Sequence, residues 1–436
     1  MSEPKGSKAR VGAFSGVIPV SSMSWCRKPN VKVSGDGAGK ITDARKVVEV
    51  HDVVWVSISP KQEPPLVSAQ AVPPGTTLQL SLEQYPEVQG ALVSIEASSG
   101  DVLALVGGYS FQDSKFNRAT QARRQPGSAF KPVVYSAALD QGFTVTSIVL
   151  DAPIVFVNPY TGKVWRPENY GGKFSGAVTL RTALAKSLNL CTVRIAQQIG
   201  IPAVIDRALA LGLDAKFPNE LAVSLGAVAV SPLNLTEAYT AFARGGTRVK
   251  GRLITSVKDA WGKEIGVFPP ETAQAISPQN AFVMQTLLKT VVNEGTATRA
   301  KVLGRPVAGK TGTANEEQDA WFVGFTPYMV VGSYVGYDQV TPMGRGETGG
   351  RTALPAFVRY MEQVQDSYPP DDFVMPEGIT MTQVVADGKT VTVPFMSGSG
   401  PGTGRGAMGT GDIMDSMAVE PVPPPPVSDD VLKQLY

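Results

Sequence analysis

The chain has 436 residues, 43% of them hydrophobic, enough apolar material for one large core and at least one smaller module. Its 40 basic and 38 acidic side chains leave a net charge of +2, which gives no field strong enough to point to nucleic acid or a highly charged membrane surface as the main partner. Cys26 and Cys191 are too few for a disulfide framework or a Cys-ligated zinc site, and one histidine, His51, cannot supply an ordinary Ser-His-Asp triad far from every motif below, so a serine nucleophile would need another base, for which lysine is the known substitute.

Residues 1–10 are polar and expected to be disordered, and MSEPKGSKAR lacks the apolar core of a signal peptide. No run of about 18 apolar residues follows, so membrane attachment would require a segment outside this chain. Residues 11–72 hold short β-rich runs between turns, among them VVEVHDVVWVSI with His51 as a strand residue, and form a small, incomplete β module. A Pro-rich linker opens the main domain, residues 73–367, whose first hairpin pairs ALVSIEA with DVLALVGG around Ser98-Ser99-Gly100. Thr179–Ile199 has apolar residues at helical spacing and Gly200 at its end. Ser231-Pro232 and Ser277-Pro278 each open a further helix, with Ser as cap, Pro at the first position, and Gly245 or Gly295 after the end. PVAGKTGTA, AWFVGFTP and MVVGSYVGY then read as neighbouring antiparallel strands. Strands at both ends of the domain with helices between predict an α/β (α+β) fold, one antiparallel sheet sandwiched by helices. Residues 368–436 are rich in Gly and Pro and are expected to bury no core.

Three short patterns carry chemistry. Ser128-Ala-Phe-Lys131 places a hydroxyl at the start of a helix and an amine one turn later on the same face; Pro132 fits only near a helix start. A desolvated lysine beside other cations can be neutral and accept the serine proton. Ser-x-x-Lys also occurs at Ser2 and Lys5, so alone it says little. Ser187-Leu-Asn189 lies in the 179–199 helix or at a break in it; the hydroxyl could relay a proton and the amide could bond a lysine and a substrate. Lys310-Thr311-Gly312-Thr313 lies in a strand whose edge could take an extended peptide, with Gly312 clearing the approach, Lys310 and the threonines receiving a carboxylate, and the Ser128 and Thr313 N–H groups forming an oxyanion hole.

The order and separations of the three are those of the serine transpeptidases and active-site serine β-lactamases. With RRQPGSAFKP, WRPENYGGKFSGAVTLRTALAKSLN, SPLNLTEAYTAFARGG, VVNEGTATRA, VAGKTGTAN and DAWFVGFTP, the sequence from about Leu78 to Met361 resembles the transpeptidase domain of class A (bifunctional) penicillin-binding proteins, and GVIPVSSMSW with KVVEVHDVVWVSI resembles the end of their OB-like module. The resemblance implies a peptidoglycan D,D-transpeptidase acting on D-Ala-D-Ala stem peptides outside the cytoplasmic membrane. It implies acylation by β-lactams, contact with other cell-wall synthesis proteins, and no metal or cofactor. Ser128 is then the acylated nucleophile, Lys131 its base, and Ser187 and Asn189 the relay and amide contact, while Lys310, Thr311, Gly312 and Thr313 bind substrate. No glycosyltransferase domain precedes the OB-like part, so glycan polymerisation is not implied for this chain.

Rival readings are weaker. Gly304 to Thr311 matches a phosphate-binding loop, G-x-x-x-x-G-K-[ST], but ATRAKVL is a poor core strand and no helix signal follows. A β-lactamase needs a second base, and Glu168 lacks the Glu-x-x-x-Asn arrangement. A D,D-carboxypeptidase differs only in water resolving the intermediate, and an acylated antibiotic sensor would be inert toward peptides.

Overall fold

The period-two apolar runs of the chain become strands, and they sort into sheets with two separate cores. The computed structural model describes residues 6–11, 14–26, 41–59, 76–157, 162 and 164–401. Strands β1 (Gly6–Val11), β2 (Phe14–Pro19), β3 (Trp55–Ile58) and β4 (Thr77–Glu83) form a sheet in the order β1-β2-β4-β3, with β2 and β4 parallel and the other neighbours antiparallel. Leu78, Leu80 and Leu82 alternate along β4 and are buried against Ile18, Met23 and Ala44.

Three expectations change here. Part of the polar 1–10 stretch is strand. β4 belongs to this module and not to the main domain, so the boundary falls between Glu83 and Gln89; a parallel partner distant in sequence leaves no local signal. His51 is exposed in a turn with φ 81°, ahead of the strand it was assigned to. The linker at 60–75 lies outside the described residues.

The chain continues through β5 (Gln89–Glu96), β6 (Val102–Val106) and helix α1 (Lys131–Asp140). Strands β7 (Ile148–Asp151), β8 (Phe156–Val157), β9 (Val164–Trp165) and β10 (Gly176–Thr179) come next, pairing β7 with β10 and β8 with β9. Helices α2 (Leu180–Ala185), α3 (Asn189–Ile199), α4 (Ile201–Ala210) and α5 (Pro232–Ala243) follow. After β11 (Thr247–Val249), β12 (Ser256–Lys258), β13 (Glu264–Val267) and β14 (Thr272–Gln274) come α6 (Pro278–Glu294), β15 (Ala308–Thr313), β16 (Asp319–Phe325), β17 (Met329–Gly336), α7 (Leu354–Val364), β18 (Ile379–Ala386) and β19 (Lys389–Met396).

The main sheet is antiparallel in the order β15-β16-β17-β5-β6, joining both ends of the domain as the sequence predicts. Strand alternation gives each helix layer its own face. Phe322 meets Phe357 of α7 at 4.8 Å between ring centroids, while Phe325, three residues on and so on the opposite face, meets Tyr239 of α5 at 6.4 Å. Ser231 and Ser277 cap α5 and α6 by accepting the N–H groups of Asn234 and Asn280, at 3.2 and 3.1 Å.

Of the two readings of 179–199, a continuous helix or one with a break at Ser187-Leu-Asn189, the structure has the second: two helices separated between Ala185 and Asn189. The tail expectation also changes: β18 and β19 form a hairpin in which Val393 and Phe395 are buried in the main core. At its turn the Asp387 carboxylate accepts from Thr179 Oγ1 at 2.6 Å, Thr182 Oγ1 at 2.5 Å and Thr179 N at 3.2 Å, at the start of α2. Residues 402–436 lie outside the described residues.

Candidate active site

The serine is presented by a tight turn. Gly127–Phe130 is a 3-10 turn that runs into α1, with Pro132 in the first turn of the helix, where its missing N–H costs nothing. Tyr239 Oη donates to Ala129 O at 2.5 Å and fixes that turn from α5. Gly127 has φ 52°, and a Cβ there would stand 2.3 Å from Thr313 O, so only glycine lets the turn lie against the end of β15. Ser128 itself is half-buried and lines a cleft of about 670 Å³ together with Ser187, Asn189, Thr311 and Thr313.

Lys131 is wholly buried. Its Nζ donates to Ser187 O at 2.6 Å, Asn189 Oδ1 at 2.7 Å and Ser187 Oγ at 3.3 Å. These are the contacts of the amine; Ser128 Oγ, one turn back on the same segment, is not among them. Burial holds the Lys131 ammonium well below the usual lysine range, and the Lys310 charge adds to the effect. Lys310, also wholly buried, is pushed by burial to about 7. Its Nζ donates to Ser187 Oγ at 2.9 Å and to Thr311 O at 3.1 Å. A single hydroxyl therefore stands between two amines, both biased toward the neutral form.

The break in the helix explains how Ser187 reaches that place. Leu188 N donates to Ala183 O at 2.9 Å and Ser187 N to Leu184 O at 3.0 Å, the paired bonds of a Schellman ending. Ser187 occupies its left-handed position, φ 58°, where glycine is usual. A side chain there costs about 1 kcal/mol of backbone strain. In return the carbonyl and hydroxyl of Ser187 both face Lys131. An uninterrupted helix would carry that hydroxyl away with the helical turn.

Among the described residues, strand β15 is one of the two edges of the main sheet, with β6 at the other. Ala314 N donates to Asp319 O, so by alternation the N–H groups of Thr311 and Thr313 point away from β16, toward the open edge. Thr311 Oγ1 and Thr296 Oγ1 share a 2.6 Å hydrogen bond, and Thr313 Oγ1 accepts from Gly349 N at 3.2 Å. Two expectations are corrected. Lys310 does not line the cleft but stands behind Ser187. Gly312 clears room for the nucleophile turn and not for a substrate: a Cβ on it would lie 2.3 Å from Pro126 O and 2.9 Å from Ala129 Cβ. The phosphate-loop pattern is likewise no such loop, because Gly304 follows the 3-10 segment Thr298–Leu303 and leads into β15.

Sequence reasoning missed Asn169 and Thr296, although both lie in segments quoted above. Asn169 Oδ1 accepts from Asn189 N at 2.8 Å and Leu190 N at 3.3 Å; its neighbour Glu168 is exposed, and the Glu168 carbonyl accepts from Asn189 Nδ2 at 2.8 Å. The only signal was a polar side chain ahead of a helix that begins with Leu188 and so has no capping side chain of its own. Tyr170 Oη donates to Glu317 Oε1 at 3.0 Å, and both residues line the cleft.

Residues 90–362 match the family described as the penicillin binding protein transpeptidase domain. Penicillin-binding protein 1A of Neisseria lactamica is 44% identical over 304 residues, covering 68% of this chain and 38% of that protein. Penicillin-binding protein 1A of Aquifex aeolicus is 42% identical over 327 residues, covering 73% of this chain and 45% of that protein. The chain thus spans less than half the length of these relatives. Among solved structures, penicillin-binding protein 1A from Haemophilus influenzae superposes with a TM-score of 0.74 at 26% identity, covering 90% of this chain and 62% of that one. Penicillin-binding protein A from M. tuberculosis, as an imipenem acyl-enzyme complex, gives 0.55 at 26% identity over 63% of this chain and 73% of its own. A half-buried serine on a glycine-pinned turn, two buried lysines sharing one hydroxyl, and a family match over most of the main domain lead to one assignment: the chain belongs to the penicillin-binding-protein transpeptidase family.

Proposed function

We propose that the chain is a D,D-transpeptidase, working outside the cytoplasmic membrane, that cross-links peptidoglycan stem peptides through an acyl-enzyme on Ser128 and is acylated at the same atom by β-lactams. The observation that carries this reading is the Ser187 hydroxyl, held between the Nζ atoms of two wholly buried lysines in the cleft that Ser128 lines.

Neutral Lys131 takes the Ser128 proton as Oγ attacks the carbonyl carbon of the D-Ala-D-Ala peptide bond. Negative charge then develops on the carbonyl oxygen, where the N–H groups of Ser128 and Thr313 receive it. When the C–N bond breaks, the departing D-Ala amine takes a proton delivered through Ser187. The ester that remains is attacked by an amine of a neighbouring stem peptide, and Ser128 regains its proton. Thr311 and Thr313 face the substrate's terminal carboxylate, and Lys310 supports them from behind through its bonds to Ser187 and the Thr311 carbonyl.

A penicillin opens its ring on the serine and loses no fragment, so the protein should gain the whole mass of the drug. Intact mass spectrometry with benzylpenicillin should show one adduct on the parent and none on Ser128→Ala, whose thermal midpoint stays within about 1 °C because a half-buried surface hydroxyl is removed. An adduct that survives S128A would sink the assignment. Its lifetime separates the rivals: a persistent adduct supports a synthase, while clearance within seconds would mean that Glu168, exposed on the cleft wall, or another group activates water.

A further inference from the structure

Beneath the cleft, Asp151 is a buried carboxylate that the acyl-transfer steps above do not use. It closes β7, is wholly buried, and among the described residues has no ion-pair partner. Burying an unpaired carboxylate is costly unless its oxygens are filled by donors. Two donors reach it: Asn169 Nδ2 at 2.7 Å on one oxygen and Ser175 N at 2.7 Å on the other.

Those bonds decide which way the Asn169 amide faces. Its nitrogen donates to Asp151 and to Lys173 O at 2.9 Å, which leaves its oxygen for the N–H groups of Asn189 and Leu190. A flipped amide would set oxygen against acceptors and N–H against donors. Helix α3 needs this oxygen, because Leu188 precedes it and cannot cap. Asn189 is then held at its backbone by Asn169 and at its amide nitrogen by the Glu168 carbonyl, and its free oxygen receives Lys131 Nζ.

We propose that Asp151 and Asn169 are positioning residues for the acyl-transfer site: the carboxylate orients the amide, the amide caps α3, and the capped helix holds Asn189 where it receives Lys131. The proposal rests on the transpeptidase reading. Asp151 has a second effect through charge. The titratable groups that bear on Lys131 are Lys310 from β15, Cys191 from α3 and Asp151 from β7; the first disfavours the ammonium, and the carboxylate favours it. Removing the carboxylate charge should therefore make Lys131 lose its proton at lower pH.

The test is the acylation rate of the full chain by a fluorescent penicillin from pH 5 to 9, on the parent, Asp151→Asn, Asn169→Asp and the double variant. N169D sets two carboxylates face to face and should slow acylation about tenfold or more, as expected for a displaced catalytic group. Adding D151N restores a donor opposite an acceptor, with an oxygen still toward α3, and should recover most of the loss. D151N alone should move the acidic limb of the rate profile to lower pH, which a purely structural lesion would not do. If N169D fails to fold, recovery is read as the double variant folding and labelling. A double variant no faster than N169D, or an unshifted limb in D151N, overturns the proposal. A parent that forms no Ser128-dependent adduct would instead overturn the transpeptidase reading, and this proposal with it.

Discussion

Lys310 ties stability to catalysis. Its folded-state value of about 7 lies below the lysine range of about 10.4 for an unfolded chain. Between those limits the unfolded chain binds more protons, so stability rises with pH, and below about pH 7 the penalty of burying the charge is present in full. Lys310→Met should therefore raise the thermal midpoint at pH 6, and the gain should vanish by about pH 10.5, as scanning calorimetry across pH would show. The same variant should slow acylation about tenfold or more, as expected for a displaced catalytic group, because the Ser187 hydroxyl loses the amine that holds it. Ser187→Gly makes a different case. It relieves about 1 kcal/mol of left-handed strain but deletes hydrogen bonds from two lysines, each worth about 1 kcal/mol net. Chemical denaturation should thus show a net loss of about 1 kcal/mol, while penicillin labelling falls steeply. At this scale the nearness of Ser128, Lys131 and Ser187 could be anticipated from residue type and spacing, whereas the place of Lys310 behind Ser187 could not. Nor could the inward direction of Gly312, since a strand residue's face is fixed by partners far away in sequence.

Elements were legible where local rules agree. The Ser-Pro starts of α5 and α6 and the hairpin β5–β6 could be read directly, because cap, first-turn proline and turn glycine act within a few residues. The break before α3 was one of two readings the sequence left open, and the hairpin β18–β19 was missed. Ser187 sits where a glycine would have settled the stop, and the two eight-residue strands, which pack on the main core, were passed over because they were grouped with the Gly- and Pro-rich run that follows them. Gly312→Ala should lower stability by about 1–3 kcal/mol, the range for overpacking, and slow acylation disproportionately, since the added methyl pushes on the Ser128 turn. Asp387→Ala should cost about 1–3 kcal/mol by removing the acceptor for three donors at the start of α2, the helix whose other end sets Ser187. Urea unfolding of both variants, beside their labelling rates, checks the pair.

For the whole molecule, the fold class and the joining of the two ends of the main domain in one sheet were legible from the order of element types. The domain boundary was not, because β4 answers to a parallel partner about 60 residues earlier in the chain. The two cores share no buried residue, and a single crossing between Glu83 and Gln89 connects them. A chain beginning at residue 85 should therefore keep a cooperative unfolding transition and label with penicillin within about twofold of the parent rate. Mass spectrometry of the truncated protein reads this, and loss of labelling would mean the small sheet supports the cleft. The concealment of the two wholly buried amines bears also on how the protein can be handled. Lys115, Lys263, Lys301 and Lys389 are open to solvent while Lys131 and Lys310 are wholly buried, so ester-based dyes or biotin tags should coat the exterior and leave these two amines unmodified.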